Sequence, residues 1–186
     1  MPSGASPIEP IGIAVFGSSE PREGSLLYEQ ARRVGSLLAR EGYVVITGGY
    51  GGVMEAASRG AREAAGEALG ITSRALSPMR AGPNPYLTRH VEAEGLLERT
   101  DELIRRSSGY IILPGKAGTL AELTFLWALD RARLLGDRPI VLLGPPWRRY
   151  LDHLASLELL ERVQINITHV AGTPEEAVQM IRSRKK

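Results

Sequence analysis

The chain has 186 residues, 43% hydrophobic and 24% charged, which suits one folded domain with a substantial core and excludes a mainly disordered chain. The formal charge is only +2 although the sequence pI is near 9.1; so small an excess gives no argument for a nucleic-acid partner. With no cysteine in the chain, disulfides, thiolate catalysis and Cys-ligated zinc are excluded.

Residues 1–10 are polar and rich in Pro, Gly and Ser, and read as a flexible N-terminal segment without the apolar core of a signal peptide. No apolar run is long enough to span a bilayer, so no membrane partner is expected and a cytoplasmic location is. Ile11 to Phe16 reads as a buried parallel strand ending in Gly17-Ser18-Ser19. A helix is predicted from about Ser25 to Glu41, with Leu27, Ala31, Val34 and Leu38 at helical spacing and Gly42 as a left-handed stop. Tyr43 to Thr47 is the second strand. Gly48-Gly49-Tyr50-Gly51-Gly52 then opens a helix running to about Ala65, and Glu67 to Thr72 is the third strand.

Arg74 to Thr88, with Pro78, Pro83 and Pro85, reads as a loop over one end of the sheet. Helix is predicted for Leu96 to Arg106, strand for Gly109 to Leu113, and a glycine-bearing turn for Pro114 to Thr119. Leu120 to Leu134 reads as helix, with Leu123, Trp127 and Leu134 on one side. Strand follows over Pro139 to Leu143, helix over Trp147 to Leu157, a last strand over Ile165 to Val170, and a helix over Pro174 to Arg182. This alternation predicts an α/β fold over residues 11–186: a single Rossmann-like nucleotide-binding domain, a three-layer α/β/α arrangement with a mostly parallel sheet. Ligands of such sheets bind beyond the C-terminal strand ends, where the glycine-rich turns sit.

Three of these turns carry candidate chemistry. Gly17 and Ser18 close the first strand, although Ser18 and Ser19 could equally cap the next helix. Gly48, Gly49, Gly51 and Gly52 let backbone approach an anion at a helix N-terminus; the alternative is a tight turn that only needs positive φ angles. Gly115, Lys116, Gly118 and Thr119 offer amides, a hydroxyl and a point charge to a phosphate. Thr119 and Glu122 also fit the Thr-x-x-Glu helix capping box. A glutamate so close to a helix N-terminus is expected to keep a low pKa, which suits a general base or a cation-stabilising role better than a general acid. In the proline-rich loop, Arg80 and Asn84 are either base-recognition or solvent-exposed residues. His90, His153 and His169 lie too far apart in sequence to suggest a metal site, and no cofactor is expected.

Pro114 to Glu122 resembles the Pro-Gly-Gly-x-Gly-Thr-x-x-Glu signature of the LONELY GUY (LOG) family, long labelled "possible lysine decarboxylase". The Gly48 to Glu55 turn is similar to that family's Gly-Gly-Gly-x-x-Gly-Leu-Met, and Val15 to Ser19 with the tyrosine-bearing helix after it also matches. The resemblance spans about residues 11 to 145. It implies a phosphoribohydrolase that cleaves the N-glycosidic bond of a nucleoside 5′-monophosphate such as AMP, and a homodimer. By the same resemblance the catalytic pair falls on Arg99 and Glu122. Glycosidic cleavage develops positive charge on the ribose, which a carboxylate can stabilise, while an arginine can hold phosphate or the departing base. Without the resemblance, Arg99 reads as a solvated helix charge.

The chain departs from the family pattern at Lys116, where the signature has its second glycine, at Leu96 and Leu97, which stand for Met and His, and at Thr100, which stands for Lys. Lys116 could replace the cation lost at Thr100. Equally, these changes could mark a carrier or sensor of a nucleotide or phosphate-bearing cofactor, as in molybdenum-cofactor carriers. Lysine decarboxylation is set aside, because it needs pyridoxal phosphate on a lysine and Lys116 is the sole lysine outside the C-terminal pair.

Overall fold

The structure is a computed structural model that describes residues 11–79 and 82–183. The 1–10 segment and Arg80 therefore lie outside the described residues. Strands β1 (Gly12–Phe16), β2 (Val44–Thr47), β3 (Ala68–Ser73), β4 (Arg89–Ala93), β5 (Tyr110–Ile112), β6 (Ile140–Leu143) and β7 (Thr168–Ala171) form one sheet. Their order is β4-β3-β2-β1-β5-β6-β7, and every pairing is parallel. The helices are α1 (Leu26–Arg40), α2 (Val53–Glu63), α3 (Leu96–Arg105), α4 (Ala117–Arg131), α5 (Pro146–Ser156), α6 (Arg162–Ile167) and α7 (Pro174–Arg182). This is the expected Rossmann-like α/β fold.

A parallel strand covered on both faces needs apolar residues at successive positions. The strand sequences GIAVF, VVIT, YII and IVLL have them, and all are buried throughout. Their side chains alternate between two cores. Ile13, Val15, Val45 and Ile111 pack with Val34 and Leu38 of α1 and Ala57 of α2. Ala14, Phe16, Ile46 and Ile112 pack on the other face with Leu103 of α3 and Leu123 and Trp127 of α4. Helices α1 and α2 meet closely because Gly35 and Gly60 lack side chains: a Cβ would come within 2.0 Å of the Ala57 carbonyl oxygen in one case and 1.8 Å of the Arg32 carbonyl oxygen in the other.

The structure corrects four sequence readings. The stretch read as loop after β3 is in part a 3-10 helix (Arg74–Met79), and an edge strand, β4, follows Thr88. Its polar sequence RHVEA buries only Ala93, so it lacks the apolar run that marks an interior strand. The segment read as strand from Ile165 is helix α6 up to Ile167, with β7 starting only at Thr168. Helix α4 starts at Ala117 and ends at Arg131. Leu134 lies beyond it, 70% exposed, after Arg133 has taken a left-handed φ of 59°.

Candidate functional site

Strand β1 pairs with β2 on one side and β5 on the other, so the chain leaves the sheet in opposite directions at that point. A crevice forms there beyond the C-terminal ends of the strands. It is a cavity of about 310 Å³ lined by the turn after β1 (Gly17, Ser18, Ser19, Glu20), by Tyr50 and Met54, by Leu76, by Arg99, and by Lys116, Ala117, Gly118, Thr119 and Glu122.

The three turns are bonded into one floor. The Ser18 amide donates to the Pro114 carbonyl at 3.1 Å, and the Val53 amide donates to the Ser18 carbonyl at 2.9 Å. Ser18 Oγ accepts from the Glu20 amide at 3.2 Å, which closes its own turn. It does not cap α1, whose flanking residue is Ser25. The glycines divide by what surrounds them. A Cβ on Gly17 would meet Val53, one on Gly52 would meet the Ser18 carbonyl oxygen at 2.5 Å, and one on Gly115 would meet Thr119 Oγ1 at 2.1 Å. Gly49 and Gly52 also have left-handed φ angles of 77° and 71°. These four hold the turns together. Gly51 has its nearest neighbours at 3.9 Å and Gly118 faces open space, so packing does not explain either.

Arg99 enters from the first turn of α3. The Glu98 carboxylate accepts from the Glu94 amide at 2.9 Å, which fixes the start of that helix. Arg99 is 8% exposed, so it is not the solvated helix charge that its surroundings in sequence suggest. Its Nε donates to the Ile71 carbonyl at 2.7 Å, Nη2 lies 3.8 Å from Met54 Sδ, and the guanidinium sits 5.6 Å from the centre of the Tyr50 ring, within cation–π range. Tyr50 is itself fastened: its hydroxyl accepts from the Ser73 amide at 2.9 Å and donates to the Ser73 carbonyl at 3.1 Å. The guanidinium fits only because residue 48 is glycine, where a Cβ would fall 1.6 Å from Nη2.

Asn84 is buried, 7% exposed, which overturns its reading as a solvent-exposed residue. Its amide donates to the Gly49 carbonyl at 2.8 Å and its Nδ2 to the Tyr50 carbonyl at 3.2 Å. The proline-bearing segment is thus tied down onto the first glycine turn. Tyr50 is a supporting residue that sequence reasoning did not find, and Asn84, read there as base-recognising or exposed, holds the turn instead. The one signal for Tyr50 was a bulky residue inside a run of glycines.

Glu122 requires a correction. Thr119 is the third residue of α4, not its cap; Lys116 is the flanking residue, and the Leu120 amide donates to the Lys116 carbonyl at 3.0 Å. Glu122 therefore lies nearly two turns into the helix, beyond the reach of the N-terminal dipole. Burial raises its carboxyl to about 7, with the positive charge of Arg99 opposing the shift. A group poised near neutrality can take up or release a proton. Its expected low pKa and its poor fit to an acid role both fall.

A second cavity of about 700 Å³ lies on the other side of this pair. Leu96, Leu97, Ala121 and Phe125 line it together with Arg99, Gly118 and Glu122. Arg99 and Glu122 thus form the wall between a crevice of mixed polarity and an apolar groove. Among the described residues, no helix is long and apolar enough to cross a membrane.

A parallel, doubly covered sheet with its crevice at the β1/β5 crossing defines a Rossmann-like α/β protein of the kind that binds ligands at strand ends. The SLOG cluster4 family model matches residues 10–180, and the chain belongs to that family. It is 29% identical over 174 residues to the cytokinin riboside 5′-monophosphate phosphoribohydrolase of Mycobacterium marinum, covering 90% of this chain and 91% of that protein. It is 31% identical over 134 residues to the protein of the same name from Mycobacterium tuberculosis, covering 72% of this chain and 70% of that one. The resemblance to LOG proteins read from the motifs holds. Among solved structures, the molybdenum cofactor binding protein of Rippkaea orientalis superposes with a TM-score of 0.69 at 28% identity, covering 96% of this chain and 98% of that one.

The two kinds of glycine give opposite expectations. Gly48→Ala drives a methyl into the Arg99 guanidinium and is expected to cost about 1–3 kcal/mol of stability. Gly118→Ala adds a methyl in open space in the first turn of a helix. It is expected to leave stability unchanged or slightly raised. Urea unfolding checks both; equal stability losses would refute the division.

Glu122 ties stability to pH. Its folded pKa of about 7 lies above the ordinary 4.5, so its contribution is full below that ordinary value and lost as pH rises through 7. Glu122→Gln, which stays neutral, is expected to melt with the wild type near pH ~4 and several degrees above it near pH ~8. Melting curves that stay parallel across that range would show that the carboxylate is not desolvated.

Proposed function

We propose that the protein is a nucleoside 5′-monophosphate phosphoribohydrolase that cleaves the N-glycosidic bond to give free base and ribose 5-phosphate. One observation carries this reading: a buried arginine and a glutamate poised near pH 7 share one wall of a crevice floored by glycine turns. In this reading Gly17, Ser18, Lys116, Gly118 and Thr119, which line the crevice, form the phosphate-side surface, while Gly48, Gly49, Gly51, Gly52 and Gly115 lie outside that lining and shape the turns that carry it. Helix amides at the start of α4 lack acceptors one turn back and suit phosphate oxygens.

The reaction then divides between two side chains. The ionised form of Glu122 takes a proton from water as its oxygen bonds to the anomeric carbon, and its charge offsets the cationic ribose. The bond to the base nitrogen breaks with its electron pair going to the base, which then takes up the proton that Glu122 removed from water, so that neutral base and ribose 5-phosphate result. Arg99 faces that developing negative charge. The substrate and the product ribose 5-phosphate are small anions, and the reading goes with a cytoplasmic location, where nucleoside monophosphates occur.

A second reading has one specific support, the 28% identity and near-complete overlap with a molybdenum cofactor binding protein. There the crevice would hold a phosphate-bearing cofactor without turnover. The two are separated by incubating the protein with AMP and other nucleoside monophosphates and measuring free base by chromatography. Base release that falls by about 100-fold or more in Glu122→Gln, with AMP affinity retained, is the expected result. Saturable binding with no release would give the carrier reading instead.

We also propose a homodimer formed through the apolar groove. Leu96, Leu97 and Phe125 are 50%, 86% and 44% exposed there, and a clustered apolar patch of this kind favours a protein contact. Sedimentation should show a dimer for the wild type and a monomer for Leu97→Asp. A monomeric wild type would refute it.

A further inference from the structure

The rim of the crevice carries its own pair of charges. Lys116 Nζ lies 2.6 Å from Glu20 Oε1, with side chains 75% and 63% exposed. The partners stand 96 residues apart in the chain. Glu20 comes from the turn after β1 and Lys116 from the turn after β5, two parallel strands paired side by side whose ends meet at the crevice. Both residues line the same cavity. The Glu20 backbone is held by Ser18 Oγ, so only its side chain needs to move to release Lys116.

Among the described residues, Lys116 is the exposed cation of the crevice lining, and a carboxylate already occupies it. A phosphate oxygen arriving at Nζ must take the place of the Glu20 oxygen. The exchange is cheap, because an exposed ion pair is weak and is screened by salt. We propose that Glu20 is a built-in competitor for Lys116, which sets how tightly the crevice holds a phosphate monoester and leaves uncharged ligands unaffected. The inference rests on the phosphate reading of the crevice, and it requires no catalytic step. It gives the lysine at the signature's second glycine position a partner and a purpose: an extra cation whose grip on phosphate is moderated so that the product can leave.

The test is calorimetric titration of wild type, Glu20→Gln, Lys116→Ala and the double variant with ribose 5-phosphate at moderate ionic strength, with ribose as the uncharged control. Glu20→Gln is expected to bind ribose 5-phosphate about two- to fivefold more tightly, with no change for ribose. Lys116→Ala is expected to bind more weakly, and adding Glu20→Gln to it should bring no gain. Binding by the wild type with no gain in Glu20→Gln, or an equal gain in the Lys116→Ala background, would overturn this inference alone. Failure of all four proteins to bind would overturn it together with the phosphate reading.

Discussion

The burial of the Arg99 guanidinium is the constraint on which the crevice depends. A guanidinium stays charged at any ordinary pH, and removing a charge from water is costly unless the protein supplies partners. Here they are the Ile71 carbonyl, the Met54 sulfur and the Tyr50 ring. Each comes from a different part of the chain, and each restricts the sequence around it. Residue 48 must be glycine to leave room. Tyr50 must reach Ser73 at the end of β3 to hold its ring in place, and Asn84 must close the following segment over that turn. The desolvation that makes Arg99 expensive also lifts the carboxyl of Glu122. The two side chains therefore belong to one electrostatic arrangement, although α3 and α4 are separated by a strand.

Most of the fold was legible because interior parallel strands have little choice of composition. GIAVF, VVIT, YII and IVLL could not lie at a surface, and the glycine turns beyond them could not lie inside a strand. The edge strand β4 was not legible. It pairs with β3 alone and faces solvent for most of its length, so its residues obey no burial pattern. The short helix α6 failed for the opposite reason. Its isoleucines Ile165 and Ile167 sit two apart, as in a strand, while Ile165 is 40% exposed.

The candidate site was legible in part of its lining and illegible in its electrostatics. The family resemblance pointed to Arg99 and Glu122 and the glycine motifs to the three turns; the fold brings Arg99, Glu122, Gly17, Ser18, Lys116, Gly118 and Thr119 around one crevice, while Gly48, Gly49, Gly51, Gly52 and Gly115 are not in its lining. The proton affinity of Glu122 was misjudged because Thr119-x-x-Glu122 mimics a capping box. Where the helix begins decides the matter. With Lys116 as the flanking residue, the carboxylate moves from the helix mouth to its second turn, and burial replaces the dipole as the controlling influence. Asn84 and Tyr50 could not be assigned from sequence because their roles depend on contacts across 34 and 23 residues.

The crevice carries cation and carboxylate in two layers that differ in solvent access. Lys116 and Glu20 stand at the rim in water, where their attraction is weak and salt-sensitive. Arg99 and Glu122 stand inside, where the lower effective dielectric strengthens every charge interaction. An incoming anion can rearrange the outer pair at little cost, while the inner pair keeps its geometry through hydrogen bonding and packing. Such an order suits recognition at the rim followed by chemistry at the wall. It also accounts for the unequal use of glycine: Gly48 makes space for a fixed charge, and Gly118 leaves space beside it that no side chain fills.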